Sequence, residues 1–528
     1  MMTTNLKLAE KVLVELLTTG VKEICLCAGA RNSPFVLLLD GLFPFKVYHF
    51  FEERSAGFFA LGRVAATLRP VAVITTSGTA VGELLPAAIE GTYSSLPLIM
   101  ISADRPKSYR GSGAPQTIDQ VGIFSYYIEA TFDLDMENTH FSLKSLSWRK
   151  PVHVNVCFQE PLLDSEVPTA LDFPKERRVT FTRPQSENDV VAISSFFKTH
   201  RPLAIVGTLP EKSREPMGKF LSHLGCPLYL EGPSGLRGHP ALKSCELFGG
   251  DSILRKILRT QVCDSVVRIG GVPTTRVWRD FEDLLQEVPI LSVGYNHYTG
   301  LSRQVQHFTS IESLVRAEVQ VHNSATVELM AADRKAHRFF EELLKKYPLS
   351  EHAMVRAYSE CIKNDNVFLG NSLPVREWDM AASPDYCPKR IAASRGANGI
   401  DGQISTFFGW ARPDAMNWAL FGDLTTMYDL SAPWVCSQME TNNLRIGIIN
   451  NSGGRIFERI FRKDIFINAH DIEFSHWAKM WNWEYFLWQS PQEMTTDLPQ
   501  RCMIEMRPNL EQTATLLNEW DQYWKNDV

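Results

Sequence analysis

The chain has 528 residues, 44% of them hydrophobic and 22% charged, with a net charge of −6. That length exceeds one ordinary core and predicts three domains of about 150–200 residues. The mild acidity and the lack of a basic run exclude a nucleic-acid surface, and the lack of a long apolar stretch excludes a membrane-spanning helix.

The first expected element is a helix, with Leu8, Val12, Leu13, Leu16 and Leu17 on one face. Lys7, Glu10, Lys11 and Glu15 interrupt its apolar pattern, which predicts an amphipathic helix rather than a signal peptide. The ten cysteines are scattered with no CxxC pair, the usage expected of reduced, buried thiols in a cytoplasmic protein. Strands are predicted at 24–27, 47–50, 71–75, 98–102 and 151–156, with a helix after the turn at 28–34 and further helices at 55–67 and 84–93. This alternation predicts a parallel sheet with its site at the strand C-termini. A stretch of low periodicity rich in Glu, Pro, Thr and Arg, about 164–189, reads as a linker.

The middle third predicts strands at 203–206, 266–269 and 290–293 and a helix at 214–224. It carries no nucleotide-binding fingerprint, so no flavin is expected there. A charged helix at 331–346 runs into Tyr347-Pro348-Leu349-Ser350, a second boundary. The last third alternates again, with strands at 367–369, at Phe421, at 446–449 and at 503–506. No short-period repeat is visible. The expected fold is α/β, with three doubly wound parallel-sheet domains at 1–180, 190–340 and 350–528.

Two places carry chemistry. In the stretch 421–457, Gly422-Asp423 follows the apolar run 418–421, and Asn450-Asn451-Ser452-Gly453-Gly454 follows the β-branched run 446–449. Singly these are ordinary turn residues. As a pair they set a carboxylate, an amide oxygen and an inward-turned carbonyl at the carboxyl ends of two buried strands. Such donors suit Mg²⁺, which takes few protein oxygens and completes its octahedron with water and phosphate. The glycines let N–H groups approach a diphosphate at the start of a helix opened by Ile456 and Phe457. The second place is Glu53, directly after a strand and before a helix. That position equally suits an acid stabilising the first turn of a helix.

The segments HFFEERSAGFFALG, TTSGTAVGELLPA, SADRPKSYRGSGAPQ, PVHVNV, GNSLPVREWD, SRGANGIDGQIST and GDLTTMYDL…NNSGGRIF occur in that order over almost the whole chain. The set resembles the 2-succinyl-5-enolpyruvyl-6-hydroxy-3-cyclohexene-1-carboxylate synthases, thiamine diphosphate (ThDP) enzymes of menaquinone biosynthesis. The match is dense in the outer thirds and thin in the middle one. Leu424, where many ThDP enzymes have glycine, follows this family's habit.

The resemblance implies pyrimidine-binding, middle and diphosphate-binding domains at the three ranges above. It implies ThDP with Mg²⁺ or Mn²⁺, decarboxylation of 2-oxoglutarate, and 1,4-addition of the succinyl unit to isochorismate. Glu53 matches the glutamate that hydrogen-bonds the aminopyrimidine ring and favours its imino tautomer. Asp423, Asn451 and the Gly453 carbonyl match the metal ligands. Gly422, Leu424, Thr425 and Gly454 match positions near the diphosphate, and Ile400, Ile456 and Phe457 match apolar positions against the cofactor, with Ile400 as the wedge that bends it.

Both substrates are dicarboxylates, which calls for fixed arginines. By resemblance Ser372, Arg376 and Arg395 hold 2-oxoglutarate, and Arg31, Arg105, Gln116 and Arg276 hold isochorismate. Arg31, Gln116, Arg376 and Arg395 join Glu53 in the expected catalytic set. Any one of these arginines alone reads as a solvated ion-pair partner. Ala30, Pro115 and Thr275 depart from the family pattern, which commonly has serine, asparagine and, in some members, lysine there; all three fall on the isochorismate side. The resemblance further implies a homodimer or homotetramer, with Glu53 and Asp423 meeting across a subunit interface. Another ThDP-dependent 2-oxoacid decarboxylase or carboligase, and a non-catalytic cofactor-binding homologue, are the competing readings.

Overall fold

The computed structural model describes residues 4–171, 173, 186–319, 327–461 and 463–526. Much of the expected linker at 164–189 lies outside the described residues. Strands β1 (Glu23–Cys27), β2 (Lys46–Phe50), β3 (Val71–Thr75), β4 (Leu98–Asp104), β5 (Ala130–Leu134) and β6 (Val152–Cys157) form one sheet in the order β2-β1-β3-β4-β6-β5. A second sheet holds β7 (Pro202–Val206), β8 (Leu228–Leu230), β9 (Ser265–Ile269), β10 (Ile290–Val293) and β11 (Gln306–Phe308) in the order β11-β10-β9-β7-β8. The third has β12 (Asn366–Leu369), β13 (Arg390–Ala392), β14 (Asn417–Gly422), β15 (Leu444–Ile449), β16 (Glu484–Trp488) and β17 (Arg501–Met506) in the order β13-β12-β14-β15-β17-β16.

These pairings are all parallel. The first and third sheets have one and the same strand order, a likeness that the sequence does not display as a repeat. In each, the order reverses beside the first strand, which opens a crevice at the strand C-termini. The α/β architecture with interleaved helices follows from the strands themselves. β3, β4 and β6 are buried along their whole length, as strands covered by helices on both faces must be.

The chain forms two compact units, one of residues 1–182, 396–413 and 427–442, the other of 183–395, 414–426 and 443–528. In the first, the helix Asn5–Thr19 buries Leu8, Val12, Leu13 and Leu16 completely, the face predicted by their spacing. In the second, the cores of the two remaining sheets share apolar contacts from Leu203 to Met506. No helix among the described residues is long and apolar enough to cross a membrane.

Two helices of the first unit, Glu53–Thr67 and Gln403–Trp410, cross in backbone contact. A Cβ on Gly62 would lie 2.1 Å from the Thr406 carbonyl oxygen, and one on Gly409 would lie 2.1 Å from that of Phe59. Only glycine at both positions permits this approach. The helix expected at 55–67 thus starts two residues earlier, at Glu53, because Glu52 takes the cap and accepts from the Ser55 N–H at 3.1 Å. The helix expected at 84–93 is Leu85–Ser94, with Pro86 in its first turn, and a separate short helix, Thr79–Gly82, precedes it.

Candidate active site

In the third sheet, β14 and β15 pair with Gly422 opposite Ile449, so Asp423 and Asn450 leave the sheet side by side. The loop after β15 then folds back onto Asp423: the Gly453 N–H donates to Asp423 Oδ2 at 2.8 Å, and the Leu424 N–H to Oδ1 at 2.7 Å. Gly453 has φ +134°, and a Cβ there would meet the Ile467 carbonyl oxygen at 2.5 Å. The kink that turns its carbonyl is therefore reserved for glycine. His470 Nε2 lies 3.2 Å from Asp423 Oδ2.

Asp423 is 3% exposed. Burial pushes its carboxyl upward, while the Gly453 and Leu424 N–H groups and His470 draw it down. Asn451, equally buried, donates its Nδ2 to Glu351. Among the described residues, apart from its chain neighbours, none comes within 4 Å of a Cβ built on Gly422. A buried carboxylate, a buried amide and a glycine carbonyl around one loop form an all-oxygen donor set that fits a hard dication carrying a diphosphate. Instead of the helix expected from Ile456, the chain makes a 3₁₀ turn, Arg455–Phe457, and a single α-helical turn, Glu458–Phe461. Phosphate oxygens would therefore meet loop N–H groups here, with little helix dipole behind them.

Of the expected 2-oxoglutarate residues, Ser372 and Arg376 follow β12 and Arg395 follows the neighbouring β13. Ser372 sits at φ +70° and caps the helix Leu373–Ala381, and its carbonyl accepts from Arg376 Nη1 at 2.5 Å. Arg395 Nη1 donates to Asn371 Oδ1 at 2.8 Å, which holds it against the same turn. Two buried acids stand near both arginines. Glu231 accepts from the N–H and hydroxyl of Thr274, and Asp379 accepts from the Gly232 N–H at 2.5 Å and from the Thr274 hydroxyl at 3.2 Å. Burial raises both carboxyls, and Arg395 opposes the rise. Burial lowers Arg376, and Asp379 and Glu231 oppose that. Thr275 is buried, bonded to Asp251 through its hydroxyl, and the adjacent Arg276 is exposed.

In the first unit, Glu53 is half-buried and Oε1 accepts from the Thr75 hydroxyl at 3.1 Å. Burial raises its carboxyl, and the Thr75 bond partly offsets this. Arg31 pairs through Nη2 with Glu160 at 2.8 Å, and its buried Nη1 has no hydrogen-bond partner among the described residues. Arg105 donates from Nε to the Pro115 carbonyl at 3.1 Å, a contact that the exchange of asparagine for proline leaves intact. Gln116 is exposed, with φ +57°, and its Cα lies against Gly78. Gly78 donates to the buried Gln120 at 3.3 Å. The segment leading to Ile400 is held by Glu90, which accepts from the N–H groups of Gly396 and Ala397 at 2.9 and 2.7 Å.

The residues that sequence reasoning missed are His470, Thr75, Glu351, Glu377, Glu231 and Asp379. Their contacts with the predicted residues, or in the case of Glu377 with Glu351, come from the fold and not from neighbouring sequence positions. Three of them stood inside quoted segments all the same: Thr75 opens TTSGTAVGELLPA, and Glu377 and Asp379 close GNSLPVREWD.

Residues 7–123 match the family model described as the N-terminal TPP binding domain of thiamine pyrophosphate enzymes. The chain is 54% identical over 524 residues to a 2-succinyl-5-enolpyruvyl-6-hydroxy-3-cyclohexene-1-carboxylate synthase of Bdellovibrio bacteriovorus, covering 99% of this chain and 100% of the relative. A synthase of the same name from Akkermansia muciniphila is 34% identical over 94% of this chain and 95% of its own length. With such identity from end to end, the chain belongs to the 2-succinyl-5-enolpyruvyl-6-hydroxy-3-cyclohexene-1-carboxylate synthase family of thiamine pyrophosphate enzymes.

Proposed function

We propose that the chain is a transferase that decarboxylates 2-oxoglutarate and adds the succinyl unit 1,4 to isochorismate, with ThDP and Mg²⁺ or Mn²⁺. The products are 2-succinyl-5-enolpyruvyl-6-hydroxy-3-cyclohexene-1-carboxylate and CO₂, a step of menaquinone biosynthesis. The observation that carries this is the full-length identity to the Bdellovibrio synthase. Bound ThDP supplies the carbanion stabilisation that lets a 2-oxoacid lose CO₂ and its remaining carbon act as a nucleophile.

The chain's own residues supply binding, orientation and proton handling. Asp423, Asn451 and the Gly453 carbonyl hold the cation, with Gly422, Leu424, Thr425 and Gly454 along the diphosphate. Glu53, raised by burial, holds a proton at the pyrimidine ring. Ile400, Ile456 and Phe457 pack on the cofactor. Arg376, Arg395 and Ser372 take the 2-oxoglutarate carboxylates, a reading supported by their shared turn. Arg31, Arg105, Gln116 and Arg276 take isochorismate, supported by the buried Nη1 of Arg31, which no described residue bonds. Domains at 1–180, 190–340 and 350–528 fit this scheme, since each sheet falls within one range. A cytoplasmic homodimer or homotetramer, with Glu53 of one copy serving Asp423 of another, completes it.

The test is isochorismate consumption by purified protein with ThDP, Mg²⁺ and 2-oxoglutarate, each omitted in turn. Loss of isochorismate absorbance that requires all three supports the synthase. Preference for pyruvate over 2-oxoglutarate would favour another ThDP decarboxylase or carboligase, against which the number of arginines argues. Thermal stabilisation by ThDP without turnover would favour a non-catalytic homologue.

A further inference from the structure

Asn451 is held by its amide nitrogen. Nδ2 donates to both carboxylate oxygens of Glu351, at 3.0 and 3.2 Å. An amide oxygen cannot donate to a carboxylate, so this contact decides which way the amide faces. Glu351 is itself fixed. It opens the helix Glu351–Ile362 behind the Ser350 cap, and its own N–H donates to the Thr513 hydroxyl at 2.9 Å. Behind it stands Glu377, from the helix Leu373–Ala381, in a carboxyl-to-carboxyl hydrogen bond.

Glu351 is 2%, Glu377 4% and Asn451 6% exposed. Two acids buried against each other are costly to keep in a fold, and an apolar pair would pack there more cheaply. What the pair provides is an acceptor of fixed position facing Asn451.

We propose that Glu351, backed by Glu377, is a positioning residue that turns the Asn451 amide oxygen away from itself and presents it as a cation ligand beside Asp423. The inference rests on the cation site described above. Partners that orient a metal ligand typically govern affinity by about 10–100-fold.

The test measures Mn²⁺ affinity of the full chain with saturating ThDP, from the electron paramagnetic resonance signal of free Mn²⁺. Glu351→Gln places an NH₂ group against the Asn451 NH₂ and should weaken Mn²⁺ about 10–100-fold. Glu377→Gln still donates to Glu351 and should stay within about threefold of wild type, below the range that loss of an orienting partner brings. A role in packing alone would lower the melting temperature of Glu351→Gln without moving Mn²⁺ affinity, and that result would overturn the proposal. Where Glu351→Gln does not fold, Glu351→Asp withdraws the acceptor by one methylene and should weaken Mn²⁺ at least about fivefold, while unchanged affinity there would equally overturn it. Asp423→Asn separates the two readings. Wild-type Mn²⁺ affinity in that variant removes the cation site itself, whereas its loss beside an unaffected Glu351→Gln removes only the positioning role.

Discussion

Glu53 and Asp423 begin alike and end differently. Each follows a parallel strand, each opens a helix, and burial raises each carboxyl. Glu53 has the Thr75 hydroxyl and its own backbone N–H. Asp423 has two backbone N–H donors and a histidine within 3.2 Å. Donors stabilise the anion, so the neighbours of Asp423 oppose its burial more than those of Glu53 do. In the proposed reaction the same placement on two sheets of one strand order serves two chemistries, and the neighbours set the two apart.

The largest expected effect breaks the proton side of this contrast. Glu53→Gln should cost about 10²–10⁴-fold in turnover, the usual range for a lost general acid or base, with its Mg²⁺ requirement unchanged. Initial rates of isochorismate loss check it, and near-wild-type turnover would take Glu53 out of the mechanism. The charge side breaks with Asp423→Asn. The Mg²⁺ concentration for half-maximal rate should rise at least about 100-fold, beyond what an outer partner of a ligand costs. A Mg²⁺ titration of the rate reads this directly. An unchanged titration would put the cation elsewhere.

The sequence carried the central strands because they are buried on both faces and read as continuous apolar runs. It did not carry β5, β8, β11, β13 and β16, five of the six edge strands, the sixth being β2, which was read at 47–50. An edge strand has fewer neighbours to satisfy, so QHF of β11 or RIA of β13 needs no apolar signature. The site divides in the same way. Asp423, Asn451 and Gly453 sit beside their strands and were legible from the local run of residues. Glu351 reaches Asn451 across 100 positions of sequence, and nothing in Ser350-Glu351-His352 marks it. The grouping of 396–413 with the first unit was equally hidden, because a glycine crossing leaves no pattern in a single helix.

That crossing supplies a smaller effect, confined to the Glu53 side. Gly62→Ala drives a methyl into the Thr406 carbonyl, where backbone on both helices leaves no flexible side chain to yield. Overpacking of this kind costs about 1–3 kcal/mol and often more against backbone. A lowered urea midpoint checks it. A wild-type midpoint would show that the two helices slide apart without loss.

The mildest test concerns how the Glu53 helix answers to pH. Asp429 is fully buried and accepts from the Ser405 N–H at 2.7 Å, the Ser405 hydroxyl at 3.0 Å and the Ser55 hydroxyl at 3.5 Å. Burial pushes its carboxyl up to about 6, with Ser405 and Arg54 opposing and Glu52 adding to the rise. A folded-state value above the unfolded one means that protonation favours the fold. The contribution is therefore complete below about pH 4 and is lost as pH rises through 6, by at most about 3 kcal/mol for a rise of roughly two pH units. Asp429→Asn keeps the shape: its oxygen can accept from the Ser405 N–H while its NH₂ donates to the Ser405 hydroxyl. Urea midpoints between pH 4 and 7 should fall for the wild type and run flatter for Asp429→Asn. Parallel profiles would assign the dependence to other raised carboxyls, whereas a flatter variant would show that Asp429 makes the helix pair under Glu53 weaker as pH rises through 6.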